Sequence, residues 1–234
     1  MPLIERVGVN RKARTTTAYT PILPLARQHY LGYEAVAVGL GLFAPIAVPD
    51  IFQTAHFAAT LDTVFHPDRT EDEHALAARL RRERAAYLLG QYGPPLQVVI
   101  DEGALHRPES GPDPSGAGGQ YAELRMIIHG LKRLNTSGRQ HLADGELNPD
   151  IAIRIAPFSS GTYFGSTHAR SIVRLADRPY AAAYADTFGH HTSFDTALGG
   201  PTEEQRIFER LWANLPGPEH TNDVLDALLA SLPV

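Results

Sequence analysis

The chain has 234 residues, 43% of them hydrophobic and 20% charged, with a formal net charge of −5. That is the composition of an ordinary globule with enough apolar mass for a core, and its weakly acidic balance gives no footprint for nucleic acid. The lack of cysteine excludes disulfides, thiolate zinc sites and a cysteine nucleophile.

Residues 1–29 read as an N-terminal arm, with a thin basic cluster at Arg6, Arg11, Lys12 and Arg14. Met1 to Arg6 carries no signal-peptide core. The uncharged run from Ala35 to Pro49 is interrupted by glycine and proline and is too short to span a bilayer. A cytoplasmic location without membrane contact is therefore expected. Lysine occurs only at Lys12 and Lys132 while arginine is abundant, a mark of a GC-rich genome.

From Tyr30 to Leu42 small and apolar residues fit a buried helix or strand. Asp50 is the expected N-cap of a short helix over Ile51 to Ala58. Thr70 and Glu73 form a capping box, followed by a helix with Leu76, Leu80, Tyr87 and Leu88 on one side and Arg79, Arg81, Arg82 and Glu83 on the other. That arginine run reads as a solvated face, and Gly90 as the stop. Leu96 to Asp101 is a buried strand ending in two acids.

Pro108 to Gly119 is a loop by composition, and Leu124, Ile127, Ile128, Leu131 and Leu134 recur at helical spacing. Ile151 to Ile155, Ser171 to Leu175 and Tyr180 to Ala185 read as strands. Thr202 to Gln205 is a second capping box, opening a helix with Ile207, Phe208, Leu211 and Leu215 inward; a last helix spans Asn222 to Leu232. The expectation is a single α+β domain over residues 30–234, helices packed on a mostly antiparallel sheet.

Three segments form one ordered pattern: Val48-Pro49-Asp50-Ile51-Phe52-Gln53-Thr54, the strand and acids from Val99 to Pro108, and Ile153 to Gly161 with Pro157-Phe158-Ser159-Ser160-Gly161. From Glu34 to Leu232 the chain resembles the DUF5753 family, the C-terminal domain of actinobacterial helix-turn-helix regulators of the Scr1 antitoxin-like type. The resemblance implies a regulatory domain. About thirty residues precede the matching region, too few for a DNA-binding domain. Asp50 stands where the family has glycine. The family's tyrosine-valine-glutamate segment appears as Tyr184-Ala185-Asp186, followed by His190 and His191.

Asp101 and Glu102 point to opposite faces if the strand runs through them. They are either a catalytic acid and base or structural groups, capping the next turn or pairing with Arg107. Gln53 either fixes a ligand through its amide or bonds a neighbouring backbone group. His190 and His191 are candidate general bases; with His168, Asp186 or Asp195 their spacing matches no metal motif, so no metal and no cofactor is expected. Tyr163, Tyr184 and Phe188 either line a pocket or fill a core. Ser159-Ser160-Gly161 is no nucleophile elbow, and Gly116 to Gly119 lacks a phosphate-loop lysine.

The leading expectation is a stand-alone module that binds a small molecule or a protein in a pocket between the sheet and the Gln53 helix, without binding DNA itself. A protein partner and a homodimer remain open. The alternative is a cofactor-independent cyclase or isomerase of secondary metabolism, with Asp101 or Glu102 and His190 or His191 moving protons and Tyr184 or Gln53 polarising the substrate.

Overall fold

The computed structural model describes residues 19–107, 121–137, 147–160, 168–177, 182–186, 193–196 and 202–232. Six strands form one sheet in the order β3-β2-β1-β4-β5-β6: β1 Gly39–Ala44, β2 Leu96–Asp101, β3 Ile151–Ala156, β4 Ala169–Arg174, β5 Ala182–Asp186 and β6 Ser193–Thr196. The α-helices are α1 Leu25–Glu34, α2 Ala55–Phe65, α3 Glu71–Leu88, α4 Ala122–Ser137, α5 Glu203–Asn214 and α6 Pro218–Ser231. The α+β class holds.

The sheet is mixed rather than mostly antiparallel. β1, β2 and β3 run parallel, with Leu40 opposite Leu96 and Leu96 opposite Ile151. β4, β5 and β6 are antiparallel, and β4 pairs with β1. Parallel neighbours need long crossovers. α2 and α3 supply the first and α4 the second.

Alternation divides the sheet into two faces. Leu40, Leu42, Val98, Ile100, Ile153 and Tyr184 join the large core under α1 to α4 and α6. Phe43, Val99, Ala156 and Ile172 meet α5 through Phe208 and Leu215. α5 sits close because β1 has Gly41 there; a Cβ at that position would lie 2.7 Å from the Phe208 ring. The polar residues of this face are also used. The Arg154 guanidinium stacks 4.3 Å from the Trp212 ring and donates to the Leu215 carbonyl at 3.0 Å, holding the end of α5.

The packed region begins well before residue 30. Tyr19 is 2% exposed, and its hydroxyl donates to Glu83 of α3 at 2.7 Å. Burial first, and then the Glu83 carboxylate, push that hydroxyl up to about 12. Buried Asn148 ties the end of α3 to the start of β2, donating to the carbonyls of Leu88 and Pro94 at 2.9 Å each. Edge strand β3 is held to α6 by Thr221, whose hydroxyl donates to the Ile153 carbonyl at 2.9 Å.

The Thr70–Glu73 capping box forms as expected. At α5 half of the box is present: Thr202 accepts from the Gln205 backbone at 3.1 Å, while the Gln205 side chain turns to Glu209. The helix expected to start at Asp50 begins instead at Ala55, capped by Thr54, after a 3-10 turn over Asp50–Phe52. Asp50 is released for another task.

Replacing Gly41 with valine is expected to cost about 1–3 kcal/mol through overpacking against Phe208. Urea denaturation reads this directly, and shortening the partner (G41V with F208L) is expected to restore part of the loss.

Candidate functional site

A cavity of about 490 Å³ opens between the carboxyl end of β1, the neighbouring ends of β4 and β5, and the pair α2–α3. Small side chains make the room. Ala55, Ala58 and Ala59 of α2 and Ala77 and Ala78 of α3 line the wall where larger residues would close it. Leu42, Phe43, Ser171 and Tyr184 form the sheet side. A site of this size and apolar character suits a drug-sized molecule.

The cavity floor is ionic. Arg84 of α3 lies 7% exposed and makes a two-pronged bond to Glu34 of α1, at 2.8 and 2.9 Å. Its remaining nitrogen donates to Asp50. Tyr30 donates its hydroxyl to Glu34 and stacks on Tyr184 at 4.8 Å. Arg27 covers both rings, 4.9 Å from Tyr30 and 5.3 Å from Tyr184, and stands 3.7 Å from Asp50. Burial alone would raise the Asp50 carboxyl, yet Arg84 and Arg27 hold it below the usual carboxylate range. Burial opposes the charge on Arg84 too, but Asp50 and Glu34 lift its pKa well above the ordinary value.

Two further groups shape the wall. Asp62 of α2 accepts from Arg69 and lies 2.6 Å from Nδ1 of His74, clasping α2 to the first turn of α3. Arg81 of α3 donates to the backbone carbonyls of Gln53 at 2.8 Å and Thr54 at 3.3 Å.

The expected site residues separate. Gln53 and Tyr184 both line this cavity. The Gln53 amide donates to the Val48 carbonyl at 2.7 Å and so braces its own loop. Asp101 and Glu102 lie one strand away from the cavity. Asp101 caps the 3-10 turn over Glu102–Leu105 by accepting from the Gly103 backbone at 2.8 Å. Glu102 accepts from the Phe158 backbone at 2.7 Å, tying the turn after β2 to the turn after β3, with His106 at 3.6 Å. Both acids thus occupy structural posts. Arg107 is exposed in the turn after β2, and His168 is half-buried before β4 and gives its carbonyl to Arg170 at 2.9 Å. Tyr163, Phe188, His190, His191 and the Pro108–Gly119 loop lie outside the described residues.

The sequence pattern put Arg79, Arg81, Arg82 and Glu83 on the solvated face of α3 and did not single out Arg84, on which the ionic floor rests. A signal was present: Leu80, Arg84 and Leu88 are the buried residues of α3 and fall four apart. An arginine within an apolar line at helical spacing is a buried arginine. Among the described residues no group of three metal-capable side chains occurs, and no helix is long and apolar enough to cross a membrane.

The geometry defines an α+β domain with a cavity under the end of a mixed sheet, walled by α2 and α3 and floored by a buried arginine network. Residues 27–127, somewhat under half of the chain, match the model of the family described as Domain of unknown function (DUF5753). The match spans α1 to α3, β1, β2 and the start of α4, and so includes the network and the helical wall. The resemblance drawn from the sequence is borne out over that stretch; the motif from Ile153 to Gly161 and the segment from Tyr184 to His191 lie beyond it. No curated protein and no solved structure matches the chain significantly.

Removing Arg84 leaves the Glu34 carboxylate, 3% exposed, buried without its cation. R84M is expected to lose about 3–5 kcal/mol in urea denaturation, and adding E34Q to recover much of it. Asp50 gives a pH signature. Its folded pKa lies below the unfolded one, so its contribution is complete above the ordinary carboxylate range and is lost as pH falls through that range towards the depressed folded value. Stability below about pH 4 is expected to fall more steeply in the wild type than in D50N, as read by urea midpoints measured down the pH scale.

Proposed function

We propose that this chain is a cytoplasmic regulatory module that binds a small molecule in the cavity between α2, α3 and the carboxyl end of β1, acting on DNA only through a partner. One observation carries the reading: the cavity is already open, with mostly apolar walls and a floor whose charged groups are held in place by one another. A pre-formed, mostly apolar pocket with a few fixed polar groups is the usual form of a small-molecule site. The regulator-like role is what the family resemblance supports, and the weak net charge supports a module without its own DNA contact.

A second reading is acid–base catalysis by a recruited cyclase or isomerase without a cofactor. The feature that favours it is the pair of His74 and Asp62 at the cavity wall, a histidine oriented by a carboxylate. In this reading His74 takes the role first sought at His190 and His191.

Native mass spectrometry of the protein purified from its source organism tests the first reading. A stoichiometric small molecule is expected, and its loss in A78W, which fills the cavity with an indole, places it there. A ligand retained by correctly folded A78W counts against this cavity. Turnover of the released molecule by the wild type but not by H74Q would move the assignment to the enzyme.

A further inference from the structure

We infer that the cavity takes a monoanionic carboxylic acid with an apolar body, its carboxylate neutralising Arg81; the inference rests on the cavity being the binding site. The argument is one of charge. Five arginines line the cavity, namely Arg27, Arg69, Arg81, Arg84 and Arg170. Four of them have an acid beside them. Arg69 has Asp62, Arg84 has Glu34 and Asp50, Arg170 has Glu204, and Arg27 has Asp50 together with the two tyrosine rings. Arg81 has none. One of its nitrogens meets two backbone carbonyls, and its Nε is buried without a hydrogen-bond partner.

A guanidinium drawn partly out of water with no counter-ion is costly, and burial accordingly lowers its pKa. Neighbouring Arg82 adds like charge, and Asp50 offsets it only from a distance. Among the described residues the five arginines are set against Glu34, Asp50, Asp62 and Glu204, which leaves one positive charge unmatched, at Arg81.

The same arrangement sets the class of anion. Asp50 is half exposed and lines the cavity with Arg81, so a dianion such as a phosphate ester meets about twice the repulsion that a monoanion does. Much of the remaining wall is alanine, leucine, valine and aromatic side chains, with His66, His74, Gln53, Thr63 and Ser171 among them, and the apolar part suits a hydrocarbon or a fused-ring body. A carboxylate also matches the planar donor fork of arginine.

Decanoate and its neutral isostere decanamide test this by isothermal titration at pH 7.5, with folding of each variant checked by thermal melting. The wild type is expected to bind decanoate at least ten-fold more tightly than decanamide. In R81M the two affinities are expected to converge through loss of decanoate binding alone, while R81K keeps the charge and part of the preference. Equal affinity of the wild type for both probes would overturn the anion assignment and leave the cavity as the binding site. Failure of both probes to bind at millimolar concentration would overturn both. Should R81M not fold, the wild-type ratio and the R81K ratio still decide: a preference reduced but kept in R81K supports the inference, and a preference that R81K leaves unchanged, or none in either protein, rejects it.

Discussion

The bond of Arg84 to Glu34 and Asp50 is the constraint on which the rest of the site depends. It ties α1, the turn at Asp50 and α3 together beneath the sheet, three elements that meet there from separate stretches of chain. Its contribution is not simply stabilising. Taking a guanidinium and a carboxylate out of water costs several kcal/mol each, and their attraction only offsets that when the geometry is good. A leucine and a methionine of similar volume would hold these elements together about as well. What the ionic version adds is direction: the two-pronged pair fixes where α3 lies relative to α1, and Arg27 and Tyr30 are ordered on top of it. The cavity floor is therefore set before any ligand arrives.

The two faces of the sheet are used unequally. One carries most of the helices and the large core, so it can be indented by a cavity and still keep enough buried apolar surface. Among the described residues the other is covered by α5 alone, through Phe208 seated on Gly41 and arginines held at the helix ends. A cavity on that side would remove much of its smaller core. The alanines of α2 and α3 mark where bulk was given up on the side that tolerates it.

Much of this was legible in the sequence where one local rule sufficed. The Thr70–Glu73 box, the apolar stripe of α4 and the alternation of β3 were each read correctly because a short window contains the whole signal. β1 was ambiguous because Gly39 and Gly41 dilute its pattern, and without β1 the parallel half of the sheet could not be inferred. Asp101 and Glu102 drew attention because acids at the end of a core strand need partners. The Gly103 N–H just along the chain supplies one, and the Phe158 N–H in the turn after the neighbouring strand supplies the other, solutions that periodicity does not reveal. Arg84 was missed for the opposite reason: arginine is ordinarily solvated, and its burial depends on Glu34, fifty residues earlier. Gln53 and Tyr184, singled out as ligand contacts, do line the cavity, since a motif residue and an aromatic on a buried strand both lie at the sheet's carboxyl end.

β1 has a parallel neighbour on one side and an antiparallel one on the other. The chain leaving its carboxyl end crosses towards β2, and the cavity opens beyond Leu42 and Phe43, beside the ends of β4 and β5. In open α/β sheets the crevice outside the carboxyl ends of the parallel strands is where ligands settle. The place of the cavity is then a property of the connectivity, and its size and polarity are properties of α2 and α3. A chain that keeps this sheet order and exchanges the alanines for larger residues, or Arg81 for a neutral one, changes the size and charge of the cavity without moving it.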